Sequence, residues 1–164
     1  MKVFHGSTII VKEPLVHVGR KNLDFGEGFY MTNLQEQAIS WANRPLNAQK
    51  PHILNVYEFD KQGAIDAKFR YLHFDYYDSE WLSFVVGNRQ GKQLWKDYDF
   101  IEGGIANDRV FNTIELYSAG LIPQQETLNR LRYEKPNHQI CILHQSVVER
   151  YLHFIEAITI KQEF

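Results

Sequence analysis

The apolar residues of this chain change period irregularly from segment to segment, and that irregularity constrains the fold most. "HILNVYEF", residues 52–59, is β-branched and aromatic, the content of a strand. "SEWLSFVVGNR" instead spaces Trp81, Phe84 and Val85 as one helical stripe, with Ser79 as the candidate cap. "NDRVFNTIELYSAG" aligns Val110, Ile114 and Tyr117 on one stripe and stops at Gly120. "TNLQEQAISWANRP" reads as a helix capped by Thr32 or Asn33, with Ala38, Trp41 and Ala42 on one face and Pro45 ending it. "PQQETLNRLRY" opens with Pro123 at a favourable first-turn position, and "SVVERYL" is a short helix. "KVFH", turning at Gly6-Ser7, "DYDFIEG", "HQICILHQ" and "HFIEAITI" read as short strands. Strands and helices mix without regular alternation. The expected class is therefore α+β, with residues 1–164 as a single domain, and not a doubly wound parallel sheet.

A chain of 164 residues with 44% apolar content can bury a sizeable core. Eleven Phe, nine Tyr and three Trp supply core and leave rings over for stacking on a planar ligand. The formal charge of −2 sets up no global field for nucleic acid, so a nucleic-acid substrate would need a local basic patch. The single cysteine, Cys141, sits in the apolar run "QICIL", which favours a buried, inert thiol and excludes an intramolecular disulfide. The N-terminal "MKVFHGS" lacks an apolar signal region, and no run approaches the ~18 residues of a membrane helix. A cytoplasmic protein with no membrane partner is expected.

Two glycines one residue apart stand in "LDFGEGFYMT", residues 23–32, directly before an aromatic pair. The third glycine of a dinucleotide fingerprint is missing. Glycine permits positive φ or the close approach of a flat ligand, on which the following aromatic could stack; a plain turn before a helix is the blander reading. The seven histidines form no H-E-x-x-H or Cys-His cluster, so no metal is expected, and no G-x-S-x-G marks a serine hydrolase.

"FHGS" followed by "FGEGFY" and a helix containing "QAISWA" resembles the ADP-ribosyltransferase superfamily, in the branch of the poly(ADP-ribose) polymerases and diphtheria toxin. With "GGIANDRV" and "NHQICIL" included, the whole chain looks like the bacterial DUF3990 family. The resemblance implies an ADP-ribosyltransferase-like split β-sandwich with flanking helices and a cleft for NAD as co-substrate. His5 would bond the adenosine-side ribose, Gly6 would hold the nicotinamide amide through its backbone, and Ser7 would add a contact. Gly28 and Phe29 would belong to the NAD site, and Tyr30 would stack on the nicotinamide ring. Arg20 either meets the pyrophosphate, which guanidinium pairs bidentately, or is a solvated surface arginine.

The third motif departs from the pattern. Gln139 stands where the resembling enzymes carry a catalytic glutamate, and an amide can orient a ribose but brings no charge. Glu149 and Glu156 fall on a helix and the following strand and do not align. In "DFIEGGIANDRVFN", Asp108, or in second place Glu102, is a candidate for the missing acid; Asn107 or Asp108 equally suits a helix cap, and the roles can coexist. The implied activity is mono-ADP-ribosyl transfer from NAD to a protein or nucleic-acid acceptor, by the toxin of a toxin–antitoxin or phage-defence system with an antitoxin or inhibitor protein as partner. The competing readings are a catalytically degenerate module that binds NAD, ADP-ribose or nucleic acid, and an interaction module whose aromatic cleft holds a protein.

Overall fold

The computed structural model describes residues 1–104, 108–134 and 137–161, with the Asp108 side chain outside that set. Two sheets form the centre. The first contains β1 (Lys2–Ser7), β3 (Ile53–Phe59) and β7 (Leu152–Thr159) in the order β1-β3-β7, all antiparallel. The second orders β2 (Phe29–Met31), β6 (Gln139–Ile142), β5 (Phe100–Gly103) and β4 (Tyr71–His73) as β2-β6-β5-β4, with β4 and β5 parallel. Phe4 and Thr32 exchange backbone bonds of 2.8 and 3.0 Å and so tie the two sheets at one edge. The helices are α1 (Gln35–Ala42), α2 (Lys61–Asp66), α3 (Ser79–Arg89), α4 (Asp108–Ser118), α5 (Gln124–Leu131) and α6 (Gln145–Tyr151). The α+β class holds. No described helix is long and apolar enough to cross a membrane.

Strand alternation sorts the second sheet into two faces. Tyr30, Ile101 and Cys141 pack with Trp81, Leu82 and Val85 of α3, Val110 and Ile114 of α4 and Leu131 of α5. Phe29, Met31, Phe100, Ile140 and Ile142 face the other way and meet Val3, Tyr57 and Phe59 of the first sheet and Val147 and Val148 of α6. On the far side of the first sheet, α1 lays Ala38 on Phe4, Leu54 and Val56. Cys141 is fully buried, and burial pushes its thiol far above the ordinary value, as an inert thiol requires.

Several boundaries differ from the sequence reading. β1 does not turn at Gly6-Ser7 but runs through both, because β3 continues to pair with them. α1 begins after Leu34 without a side-chain cap; Thr32 Oγ1 accepts from Leu34 N at 3.0 Å one step early. Asp78, not Ser79, caps α3, accepting from Trp81 N at 2.9 Å. Pro45 opens a 3-10 turn, Pro45–Asn47, beyond the end of α1. Gly120, at φ +72°, follows α4 as expected. Asn107, the alternative cap of α4, lies outside the described residues.

Candidate functional site

The cleft lies where β1 and β2 diverge beyond the Phe4–Thr32 bridge. Its narrow inner part, of about 20 Å³, is lined by His5, Gly6, Tyr30, Gln37, Trp41 and Gln139 among others. Tyr30, Trp41 and Gln139 also line an outer part of about 350 Å³, with Arg20, Leu23, Asp24, Arg44 and Arg89. A cavity of this size suits a small-molecule ligand. Gln37 clasps the wall between α1 and β6: its Nε2 donates to His138 O at 2.6 Å, and His138 N donates back to its Oε1 at 3.2 Å.

His5 lies within β1 with its ring 4.6 Å from that of Phe29. Nδ1 lies 2.7 Å from Tyr30 O; a carbonyl only accepts, so Nδ1 carries the proton and Nε2 is an acceptor. Burial lowers the His5 pKa against the opposing effect of that bond, which keeps the ring neutral at pH 7. Nε2 has no partner among the described residues. Phe4 points its N–H and C=O at Thr32, so Gly6, two residues on, turns its own pair in the same direction, past the bridge and toward the cleft. A side chain at Gly6 would overlap the Ala38 carbonyl oxygen, so only glycine lets α1 lie this close to β1.

Tyr30 donates to Gly26 O at 2.7 Å and accepts from Phe25 N at 3.1 Å. Burial, with Cys141 and Asp24 nearby, raises its phenol well above the ordinary value, so it stays protonated. The two glycines of "GEG" do not clear space for a ligand, contrary to the sequence reading. Gly26, at φ +94°, would drive a side chain into the Trp95 indole, and a side chain at Gly28 would overlap Cys141 Sγ and Ile142 O. Both exist for close packing. Gly28 lines neither part of the cleft, Phe29 is 7% exposed in the core between the sheets, and Ser7 Oγ accepts from Ile9 N at 3.1 Å. Of the expected site residues, the fold gathers His5, Gly6, Arg20, Tyr30 and Gln139 and leaves Ser7, Gly28 and Phe29 aside.

Gln139 is 3% exposed, with a long 3.5 Å contact from Nε2 to Gly104 O. Glu102, one residue from its partner Gly103, faces away from it. Its carboxylate accepts from Lys61 Nζ at 2.8 Å and from the Tyr71 hydroxyl. His138 takes a bond on Nδ1 from Asn33 N at 3.0 Å, so its Nε2–H donates to Glu102 at 2.8 Å. Burial by itself would raise the Glu102 carboxyl; the bonds from His138, Lys61 and Tyr71 outweigh it and hold the group at about 2. Glu102 is therefore spent on structure, which corrects its candidacy as the cleft acid. Asp108, the first choice, opens α4, but its side chain lies outside the described residues.

Sequence reasoning missed Asp24, Trp41, Arg44 and Arg89 on the cleft wall. Arg44 stacks 4.2 Å from the Trp41 ring centre, and Arg89 Nε donates to Asp24 Oδ1 at 2.7 Å. "WANR" gave a local signal for the first pair, whereas the second joins residues far apart in the chain. Among the described residues no group of three or more His, Cys, Asp or Glu is placed to hold a metal ion. No curated protein and no solved structure matches the chain. The family model described as "Protein of unknown function (DUF3990)" matches residues 1–154, nearly the whole sequence, and the chain therefore belongs to the DUF3990 family.

Proposed function

We propose that the cleft binds NAD and that the chain is a mono-ADP-ribosyltransferase acting on a macromolecular acceptor. The observation that supports this most is the convergence of His5, Gly6, Tyr30 and Gln139, from three separate strands, on one cleft that also holds three arginines. On this reading, neutral His5 Nε2 accepts a ribose hydroxyl. The N–H and C=O of Gly6 pair with the nicotinamide amide, Tyr30 or Trp41 walls a ring, and Arg20 and Arg44 meet the pyrophosphate. The expected result is that NAD binds the wild type and that His5→Ala weakens binding about 5–10-fold by calorimetry, the worth of one hydrogen bond. No binding of NAD or ADP-ribose at millimolar concentration would sink the reading.

Gln139 shapes the product. Without a charged acid beside the ribose hydroxyl, chain elongation lacks its activating group. Labelled NAD incubated with cell extract, with and without nuclease, should leave single ADP-ribose units on an acceptor that mass mapping identifies. A ladder of polymer on a gel contradicts this. The same Gln139 favours a second reading, a module that binds NAD or ADP-ribose without transfer. Binding without any release of nicotinamide would decide for it.

A further inference from the structure

We infer that Asp24 is the acid of the cleft, the charge that stabilises the ribose cation as nicotinamide leaves. The inference rests on the NAD-cleavage reading and assigns a role that neither Gln139 nor Glu102 can fill. Asp24 lines the outer part of the cleft, and among the described residues lining either part it is the one carboxylate. Without it the outer part would present three arginines and no anion to a reaction that generates positive charge. Electrostatic stabilisation at the developing charge is the usually dominant catalytic effect, so that arrangement would oppose its own chemistry.

The geometry holds Asp24 ready. Its Oδ1 accepts from Arg89 Nε at 2.7 Å, and its backbone C=O accepts from Asn88 Nδ2 at 2.9 Å. Asn88 is itself 1% exposed at the end of α3. The next residue, Phe25, donates its N–H to the Tyr30 hydroxyl, so Asp24 is tied to the ring that walls both parts of the cleft. Oδ2 has no donor among the described residues, and the whole residue is 9% exposed. One oxygen is thus anchored and the other is left for the cleft, in a partly desolvated setting where a fixed charge acts strongly.

The step balances simply. The bond between the ribose C1′ and the nicotinamide nitrogen breaks, and its electron pair leaves with neutral nicotinamide. C1′ becomes an oxocarbenium centre facing the Asp24 carboxylate. A lone pair of the acceptor then forms the new bond to C1′, and the acceptor's proton passes to water. Asp24 changes neither covalent state nor charge.

Nicotinamide release from NAD in the presence of cell extract, together with NAD affinity by calorimetry, tests this. Asp24→Asn keeps an oxygen for Arg89 and removes the charge. It is expected to bind NAD within about threefold of wild type and to release nicotinamide about 100–1,000-fold more slowly. Turnover at the wild-type rate overturns the inference. So does a rate loss that only tracks lost NAD affinity, because Asp24 would then merely neutralise Arg89. Should Asp24→Asn fold poorly, the double variant Asp24→Asn with Arg89→Gln removes both charges together. Slow release from that variant supports the inference, and wild-type release overturns it. A wild type that never releases nicotinamide defeats the transferase reading and this inference with it, an outcome distinct from failure of Asp24 alone.

Discussion

Replacing Glu102 with alanine is expected to destabilise the chain by about 3 kcal/mol, the low end for breaking a buried ion pair. The carboxylate is 7% exposed and serves three donors on three elements: Lys61 of α2, Tyr71 of β4 and His138 just before β6. Its loss leaves the Tyr71 hydroxyl and the His138 N–H without their acceptor. Lys61, 30% exposed, can still reach water, which keeps the cost at the low end. The acid limb gives a second readout. Glu102 titrates near 2 when folded against an ordinary 4.5, so its stabilisation is fully present above about pH 4.5 and is lost as pH falls toward 2. In a dry site that shift would be worth roughly 3 kcal/mol, and water at Lys61 reduces it to the order of 2. Urea titrations at several pH values should show a steeper acid loss in wild type than in Glu102→Ala. Equal melting and equal acid slopes would remove Glu102 from the structural frame.

Gly6→Ala is expected to cost about 1–3 kcal/mol or more and to abolish NAD binding. The added carbon would overlap the Ala38 carbonyl oxygen, with Ala38 C at 2.8 Å and Ala42 N at 3.0 Å. All three are backbone atoms of α1, so no side chain can swing aside. The helix must lift off β1, and it carries Gln37 and Trp41, which line the cleft. Gly19→Ala is the control: its nearest neighbour would be Gly28 O at 3.8 Å, and its stability should change by less than about 0.5 kcal/mol. Chemical denaturation and NAD calorimetry on both variants decide the matter. A Gly6→Ala protein that binds NAD normally would show that the contact between α1 and β1 does not shape the cleft.

The α+β class, the strands β3, β6 and β7, the helices α3, α4 and α5, and the buried Cys141 were legible in the sequence alone. Each is written in local terms: a period, a stop residue or an apolar run. The expectation that His5, Gly6 and Tyr30 share one cleft was legible for the same reason, since each sits in a short motif, and the three do line one cleft. Tertiary structure decided the rest. β2 and β4 have three residues each and exist as strands only because β6 and β5 pair with them. The glycines of "GEG" had two readings until Trp95 and β6 were found packed on them. Glu102 and Gln139 sit on adjacent strands, yet pleating sends one into a structural network and the other into the cleft. Asp24 was one carboxylate among many until the fold brought Arg89 to it. Strand pairing, face and ion pairing depend on residues remote along the chain, and such partnerships leave no period in a sequence for local patterning to reveal.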